Sequence, residues 1–332
     1  MSDDIRHMRH ALRLARRGLG NVWPNPAVGC VLVKEGRIVG RGWTGPGGRP
    51  HAERVALDQA GADARGATAY VTLEPCAHHG RTPPCSEGLI AAGIARLVSA
   101  LTDPDPRTAG QGHAKLRAAG IEVAEGICAA EAADLQRGFL KRVTEGLPMV
   151  TLKLASSLDG RIATASGESQ WITGPEARRH VHLLRMQHDA VMVGGGTVRA
   201  DLPSLNVRGF GLIHQPDRIV VSSRELPDLP AEGPHYGPLH RFWGRPEGIM
   251  ADLAEHGFTR IFCEGGGELA ASLLNAGLVD DLVLYSAGMV LGAGGRPAIG
   301  ALDFGPLTDA PRFDLRRAFR IGSDLCQIWS RA

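Results

Sequence analysis

The 332-residue chain is long enough for two domains of roughly 150 residues, each able to bury a core without disulfides, and at 43% hydrophobic and 22% charged it has the composition of an ordinary globular protein. A net charge of +2 excludes a broad basic nucleic-acid surface but leaves room for a local phosphate site, and no apolar run approaches the ~20 residues that span a bilayer. Six cysteines scattered over this length do not make a secreted disulfide scaffold, so the expectation is a reducing, cytoplasmic setting with thiols free to hold a metal.

The first element is an amphipathic helix, with Ile5, Met8, Leu12, Ala15 and Leu19 at spacings of three and four. Its arginines also suit a transit peptide. Asp3 and Asp4 in the first turn and the lack of a following apolar core favour a solvated helix packed on the first domain. Val28–Lys34 and Arg37–Gly42 read as a hairpin turned at Glu35-Gly36. A helix follows His51, then a strand at 69–73, a helix at 87–92, a strand at 96–100, and helices at 111–119 and 129–143. A β-rich start followed by α/β alternation fits a three-layer α/β/α sandwich.

Glu145-Gly146-Leu147-Pro148 breaks the pattern and sets the expected boundary, giving domains 1–146 and 147–332. The second half reads as a strand at 149–155, a helix at 175–188, strands at 190–193 and 218–221, and a Pro- and Gly-rich loop over 227–248. A strand at 260–263, a helix at 268–276, a strand at 281–285 and a hairpin of 313–321 with 325–330 complete it. No internal repeat is present.

The chemistry concentrates in two places. His51-Ala52-Glu53 with Pro75-Cys76 and Cys85 offers one imidazole and two thiolates, the three protein ligands of a catalytic zinc whose fourth position is left for water. Glu53, two residues on at a helix start, can reach that position without being a ligand, take a proton from water and pass it to a leaving amine. A structural zinc is the competing reading, with His78 or His79 as a fourth ligand. In the second half, Ala190–Val193 runs into Gly194-Gly195-Gly196-Thr197, and Arg260–Cys263 into Glu264-Gly265-Gly266-Gly267. Glycines at such turns let backbone N–H groups approach a pyrophosphate, although tight α/β turns also use them. The G-x-G-x-x-G pattern of a Rossmann domain is absent after the first strand.

The H-x-E…P-C…C pattern resembles the cytidine-deaminase superfamily. Eight residues, where most members have two, separate Cys76 from Cys85. The resulting PCAHHGRTPPC is similar to the riboflavin-biosynthesis pyrimidine deaminases, as is Pro24-Asn25-Pro26 followed by VGCV. This resemblance implies that Asn25 meets the pyrimidine edge and that His78 and Arg81 meet the ribose phosphate. Lys153–Arg161 (KLASSLDGR), Gly167–Thr173 (GESQWIT), the 193–201 segment and Glu264-Gly265-Gly266 resemble the reductase domain of the bifunctional deaminase/reductases of that pathway, in family order over nearly the whole chain. Leu202 departs from the family, which usually has a second Asp there.

The resemblance implies a dihydrofolate-reductase-like α/β second domain using NADPH, and hence Zn2+ and NADPH as cofactors. It sets Ala155, Trp171, Thr197, Asp201, Ser223, Gly266, Gly267, Glu268, Leu269, Ala270, Ala271 and Ser272 against NADPH. Ser169, Arg185, Leu205, Arg208 and Glu264 are set against substrate, with Arg185 and Arg208 as phosphate clamps. Lys153 and Asp201 are the candidates for polarising or protonating the group that accepts hydride. No arginine stands out in the sequence as a reader of the cofactor 2′-phosphate. The implied activity is deamination of 2,5-diamino-6-(5-phosphoribosylamino)pyrimidin-4(3H)-one, then reduction of the ribosyl group to ribityl. The expected partner is that small molecule, not nucleic acid or membrane, with homo-oligomerisation left open. The alternative is a nucleic-acid base deaminase with an accessory non-catalytic nucleotide-binding domain. It needs a basic groove and stacking aromatics, and aromatics are only 5%.

Overall fold

The computed structural model describes residues 3–80, 83–105, 108–211, 214–229 and 235–332. They form two compact units that divide after Gly146. Gly146 itself, at φ +69°, ends the last helix of the first unit, its N–H donating to the Arg142 carbonyl.

The first unit contains α1 (Asp3–Ala15), β1 (Gly29–Lys34), β2 (Arg37–Trp43), α2 (Ala52–Ala60), β3 (Thr68–Val71), α3 (Cys85–Ala92), β4 (Arg96–Ser99), α4 (Gln111–Ala118), β5 (Glu122–Ala124) and α5 (Ala129–Glu145). Its sheet runs β2-β1-β3-β4-β5, antiparallel at β2-β1-β3 and parallel from β3 onward. Alternate residues of β1 feed two cores, as the pleat requires. Cys30 and Leu32 join Ala52 and Ala56 of α2, Leu89 of α3 and Leu116 of α4. Val31 and Val33 join Met8, Ala11 and Leu12 of α1 and Ala132 and Leu135 of α5. The sheet therefore lies between two helical layers, and α1 is part of one of them.

The second unit contains β6 (Met149–Ser157), β7 (Arg161–Ala163), α6 (Pro175–Arg185), β8 (Ala190–Gly194), α7 (Gly195–Asp201), β9 (Asp217–Val221), β10 (Leu239–Phe242), α8 (Pro246–Glu255), β11 (Arg260–Cys263), α9 (Gly267–Asn275), β12 (Asp281–Ala287), β13 (Arg296–Pro297), β14 (Phe313–Ile321) and β15 (Asp324–Arg331). Eight strands run in the order β10-β9-β8-β11-β6-β12-β15-β14. The first six are parallel and the closing hairpin is antiparallel. The parallel strands β8 and β11 are almost wholly apolar and buried, as strands covered on both faces must be.

Several elements depart from expectation. The 227–248 stretch is not a continuous loop, because β10 lies inside it and α8 begins at its end. Ile249, Met250, Leu253 and Ala254 form an apolar helix face whose start, at Pro246, merges with the preceding Pro and Gly residues. The turn after β8 is the helix α7, opened by two glycines that carry poor helix propensity. β5 is a three-residue edge strand, too short to show alternation.

Candidate active sites

In the first unit the chemistry gathers where chain segments enter helices. His51 is the residue before α2, Glu53 lies in its first turn, Cys76 follows β3 and Cys85 opens α3. His51 Nδ1 lies 3.2 Å from Cys85 Sγ and 3.7 Å from Cys76 Sγ, and the three ligand atoms are all within 4.8 Å of one another. A tetrahedral zinc would space such atoms by roughly 3.5 Å, so the donor set fits the metal in geometry and chemistry. Cys76 also accepts the Cys85 backbone N–H at 3.2 Å, which favours a thiolate at the helix start. Its thiol is lowered to about 4, first by the hydrogen bond from the Cys85 thiol and against the effect of burial. Cys85 goes up in turn, chiefly through the same bond.

Glu53 is 4% exposed. Burial raises its carboxyl to about 7, with His51 opposing, which places it near half-protonation at neutral pH, where a proton carrier works best. His78 and His79 are not members of the metal-holding group among the described residues. His78 Nδ1 sits 3.2 Å from Thr108 Oγ1, and exposed His79 pairs with Glu87 at 3.2 Å. The three-ligand count suits a catalytic metal rather than a closed structural one. Asn25 donates through Nδ2 to the Gly48 carbonyl at 3.3 Å. Gly48 must be glycine, since its φ is +81° and a Cβ there would lie 1.8 Å from Asn25 Nδ2. Arg81 lies outside the described residues.

In the second unit a cleft of about 1640 Å³ opens along the C-terminal ends of β6, β11, β8 and β9, the edge where parallel α/β sheets take ligands. Lys153, Ala155, Ser169, Trp171, Arg185, Thr197, Asp201, Leu205, Arg208, Ser223, Glu264, Gly266, Gly267, Glu268, Leu269 and Ser272 all line it. Ala270 and Ala271 do not. They are 0% and 5% exposed on the core side of α9, because a helix turns successive residues away from any one face.

Arg185 is held by protein groups as well as lining the cleft. Its Nε and Nη2 grip the two Glu264 oxygens at 2.5 and 3.0 Å, and Nη1 donates to the Asn206 carbonyl at 2.5 Å. Three of the five guanidinium N–H groups are thus engaged by protein, and Arg185 braces Glu264 at the cleft wall. Burial pushes the Glu264 carboxyl up, but Arg185, Lys153 and His182 bring it below its usual range. Lys153 is lowered, first by burial and further by Arg185.

Sequence reasoning missed several cleft residues. Arg178 lies over the Trp171 ring at 4.5 Å, on an indole 64% exposed. His182 has its imidazolium disfavoured by burial and by Arg185 and Arg208. Arg178, His182 and Arg185 recur at helical spacing on α6, a signal visible in the sequence. At the opposite side, Arg199 Nη1 reaches Ser222 Oγ at 3.4 Å and Arg224 follows β9. Both line the cleft, and neither pairs with a carboxylate among the described residues. Gly195 makes this approach feasible, since a Cβ there would lie 2.2 Å from Ser222 Oγ.

Residues 1–101 match the cytidine and deoxycytidylate deaminase zinc-binding region, and residues 148–327 match the RibD C-terminal domain. With the folds above, these define a two-domain enzyme, a deaminase-like domain followed by a reductase domain. The chain is 43% identical to riboflavin biosynthesis protein RibD of Escherichia coli, covering 98% of each chain, and 41% identical to that of Haemophilus influenzae, covering 98% of this chain and 96% of the relative. Among solved structures it resembles a form of Acinetobacter baumannii RibD at 40% identity, with 99% of both chains covered and a TM-score of 0.90. A Thermotoga maritima structure, described as a diaminohydroxyphosphoribosylaminopyrimidine deaminase/5-amino-6-(5-phosphoribosylamino)uracil reductase, aligns at 33% identity, 99% of both chains and a TM-score of 0.88. The chain belongs to the RibD family, the bifunctional deaminase/reductases of riboflavin biosynthesis.

Proposed function

We propose that residues 1–146 carry the deaminase and 147–332 the reductase. The first converts 2,5-diamino-6-(5-phosphoribosylamino)pyrimidin-4(3H)-one to 5-amino-6-(5-phosphoribosylamino)uracil, and the second reduces the ribosyl group of that product to ribityl. The observation that carries the reading is the His51, Cys76 and Cys85 cluster with buried Glu53 beside it. His51, Cys76 and Cys85 would hold Zn2+, and the glycine turns of the cleft would hold NADPH. When bound, zinc supplies the Lewis acidity that makes a water nucleophilic, and NADPH supplies a hydride.

Glu53 removes the proton from the attacking water and returns it to the departing ammonia, a role for which its raised carboxyl is suited. Asn25 keeps its side-chain oxygen for the pyrimidine edge while Nδ2 is spent on Gly48, and His78 with Arg81 serves the phosphoribosyl end. In the reductase, Lys153 and Asp201 are the candidates for moving a proton at the atom that gains hydride. Glu264, braced by Arg185, accepts from substrate hydroxyls, and Arg208 and His182 meet the phosphate. Ser169 and Leu205 complete that wall. Trp171, Thr197, Ser223 and the start of α9 border the cofactor.

No helix among the described residues is long and apolar enough to cross a membrane. The six cysteines are all free, which supports a reducing, cytoplasmic setting for a chain whose partner is a small molecule. Self-association is compatible with this reading. In the test, Glu53→Ala should retain one zinc per chain and lose ammonia release by about 10²–10⁴-fold, while NADPH oxidation with the uracil substrate persists. Asp201→Ala should do the reverse. Full residual deamination in the first variant would sink the assignment.

A further inference from the structure

Glu74 lies two residues before Cys76 and is 3% exposed. Its carboxylate takes four backbone N–H groups from one segment. Oε1 accepts from Gly112 at 2.8 Å and His113 at 3.2 Å, and Oε2 from Gly110 at 2.9 Å and Asp103 at 3.2 Å. Two of these donors belong to the first turn of α4, which has no other side-chain cap, so a residue from across the sheet end satisfies a helix start. The Glu74 N–H in turn donates to the Leu101 carbonyl at 2.8 Å. The segment is pressed close, since a Cβ on Gly112 would lie 2.0 Å from the Pro75 carbonyl oxygen. Only a carboxylate offers two oxygens with four acceptor sites and no donor.

Within the same segment Thr108 is 1% exposed. Its N–H donates to the Asp105 carbonyl at 2.8 Å, and its own carbonyl accepts from Gln111 at 2.7 Å. Its hydroxyl lies 3.2 Å from His78 Nδ1. A continuous set of contacts therefore runs from Glu74 through the 108–113 backbone to Thr108 and on to the imidazole of His78.

We propose that Glu74 is a positioning residue of the deaminase. Its carboxylate fixes the described parts of the 103–113 segment and, through Thr108, sets the orientation of the His78 ring toward the phosphoribosyl end of the substrate. This rests on the reading of His78 as a substrate contact. Glu74→Gln keeps the shape but turns an amide NH2 toward two of the four donors, which then lose their acceptor.

The test uses the full-length zinc-loaded chain as wild type, E74Q, T108V and the double variant. It measures zinc per chain, kcat and KM for ammonia release, and NADPH oxidation with the uracil substrate as a check on the rest of the molecule. E74Q should keep about one zinc per chain and raise KM by about tenfold with kcat little changed, the signature of lost binding rather than lost chemistry. T108V, which removes one hydroxyl, should raise KM in the same direction. The double variant should be no worse than E74Q alone, because both act along one path. Zinc loss, a fall in kcat at unchanged KM, or fully additive effects would each overturn the proposal. If E74Q does not fold, T108V decides, and a wild-type KM in that variant rejects the idea. A wild-type chain that releases no ammonia would instead refute the deaminase reading itself.

Discussion

Arg185 and Arg208 carry the same guanidinium, but the structure employs them differently. Arg185 binds Glu264 and Asn206, whereas exposed Arg208, among the described residues, touches the Ser204 hydroxyl through its side chain, at 3.4 Å. The distinction is invisible in the sequence, because Glu264 reaches Arg185 only once β11 and α6 have packed. Arg199 and Arg224 present the converse case. Each looks like a solvated surface charge until β9 pairs with β8 and sets Ser222 beside Gly195. Forked donors with no competing carboxylate among the described residues suit a phosphate monoester, which makes Arg199 and Arg224 candidates for the reader of the cofactor 2′-phosphate that the sequence alone does not reveal. Arg199→Ala and Arg224→Ala should therefore each weaken NADP+ binding by about tenfold or more and leave NAD+ affinity nearly unchanged. Calorimetric titration with both dinucleotides checks this, and equal losses for the two would reject the role. The His51, Cys76 and Cys85 cluster is legible in the sequence, since its members fall within 35 positions and are of the residue types that hold zinc.

At the scale of elements, periodic helices and apolar strands as short as Arg260–Cys263 are readable, whereas the three-residue strands and the elements among Gly and Pro residues are not. α1, α2 and the β1–β2 hairpin follow apolar spacing closely. α7 has no readable helix signal because its first two residues are glycines, and its end is also unusual. Leu202 closes α7 at φ +43° with its side chain 56% exposed. A left-handed backbone costs a non-glycine residue about 1–2 kcal/mol, and Asn tolerates it best among ordinary residues. Leu202→Asn should stabilise the second unit by about 0.5–1 kcal/mol, raising its melting temperature by about 1–4 °C in differential scanning calorimetry. A lower melting temperature would mean that the leucine side chain packs better than its exposure indicates. Trp171 teaches a related lesson, for its segment is recognisable only by resemblance, having neither strand nor helix period.

Across the whole molecule, each unit has its own core and its own chemistry, and each holds a buried histidine that makes it sensitive to acid. His188, at the base of the second unit, is buried. Its Nδ1–H donates to the Leu184 carbonyl at 2.7 Å, so Nε2 accepts the Thr151 hydroxyl at 2.9 Å. Burial, with Arg260, lowers this imidazole to about 4. A histidine depressed below its unfolded value of about 6.5 stabilises the fold fully above that pH and loses the contribution as pH falls toward 4. The second unit should therefore lose about 3 kcal/mol over that window from this residue alone. Denaturant titrations at successive pH values measure the slope, which His188→Gln should flatten. The first unit has its counterpart in His113, lowered by burial against Glu74 and Glu125.

The cleft of the second unit runs across four strand ends, from Lys153 on β6 past β11 and β8 to Ser222 after β9. Three steps of ~4.8 Å make that row about 14 Å long, with Arg199 and Arg224 at its β9 end and His182 and Arg208 near Glu264, which follows β11. A single rod-like inhibitor with an acid group at each tip would span both. Joining the halves would convert the second contact into an intramolecular one, so such a molecule should outcompete substrate and cofactor mimics used separately. The same reach disfavours short anions such as phosphate or citrate, which can satisfy only one tip.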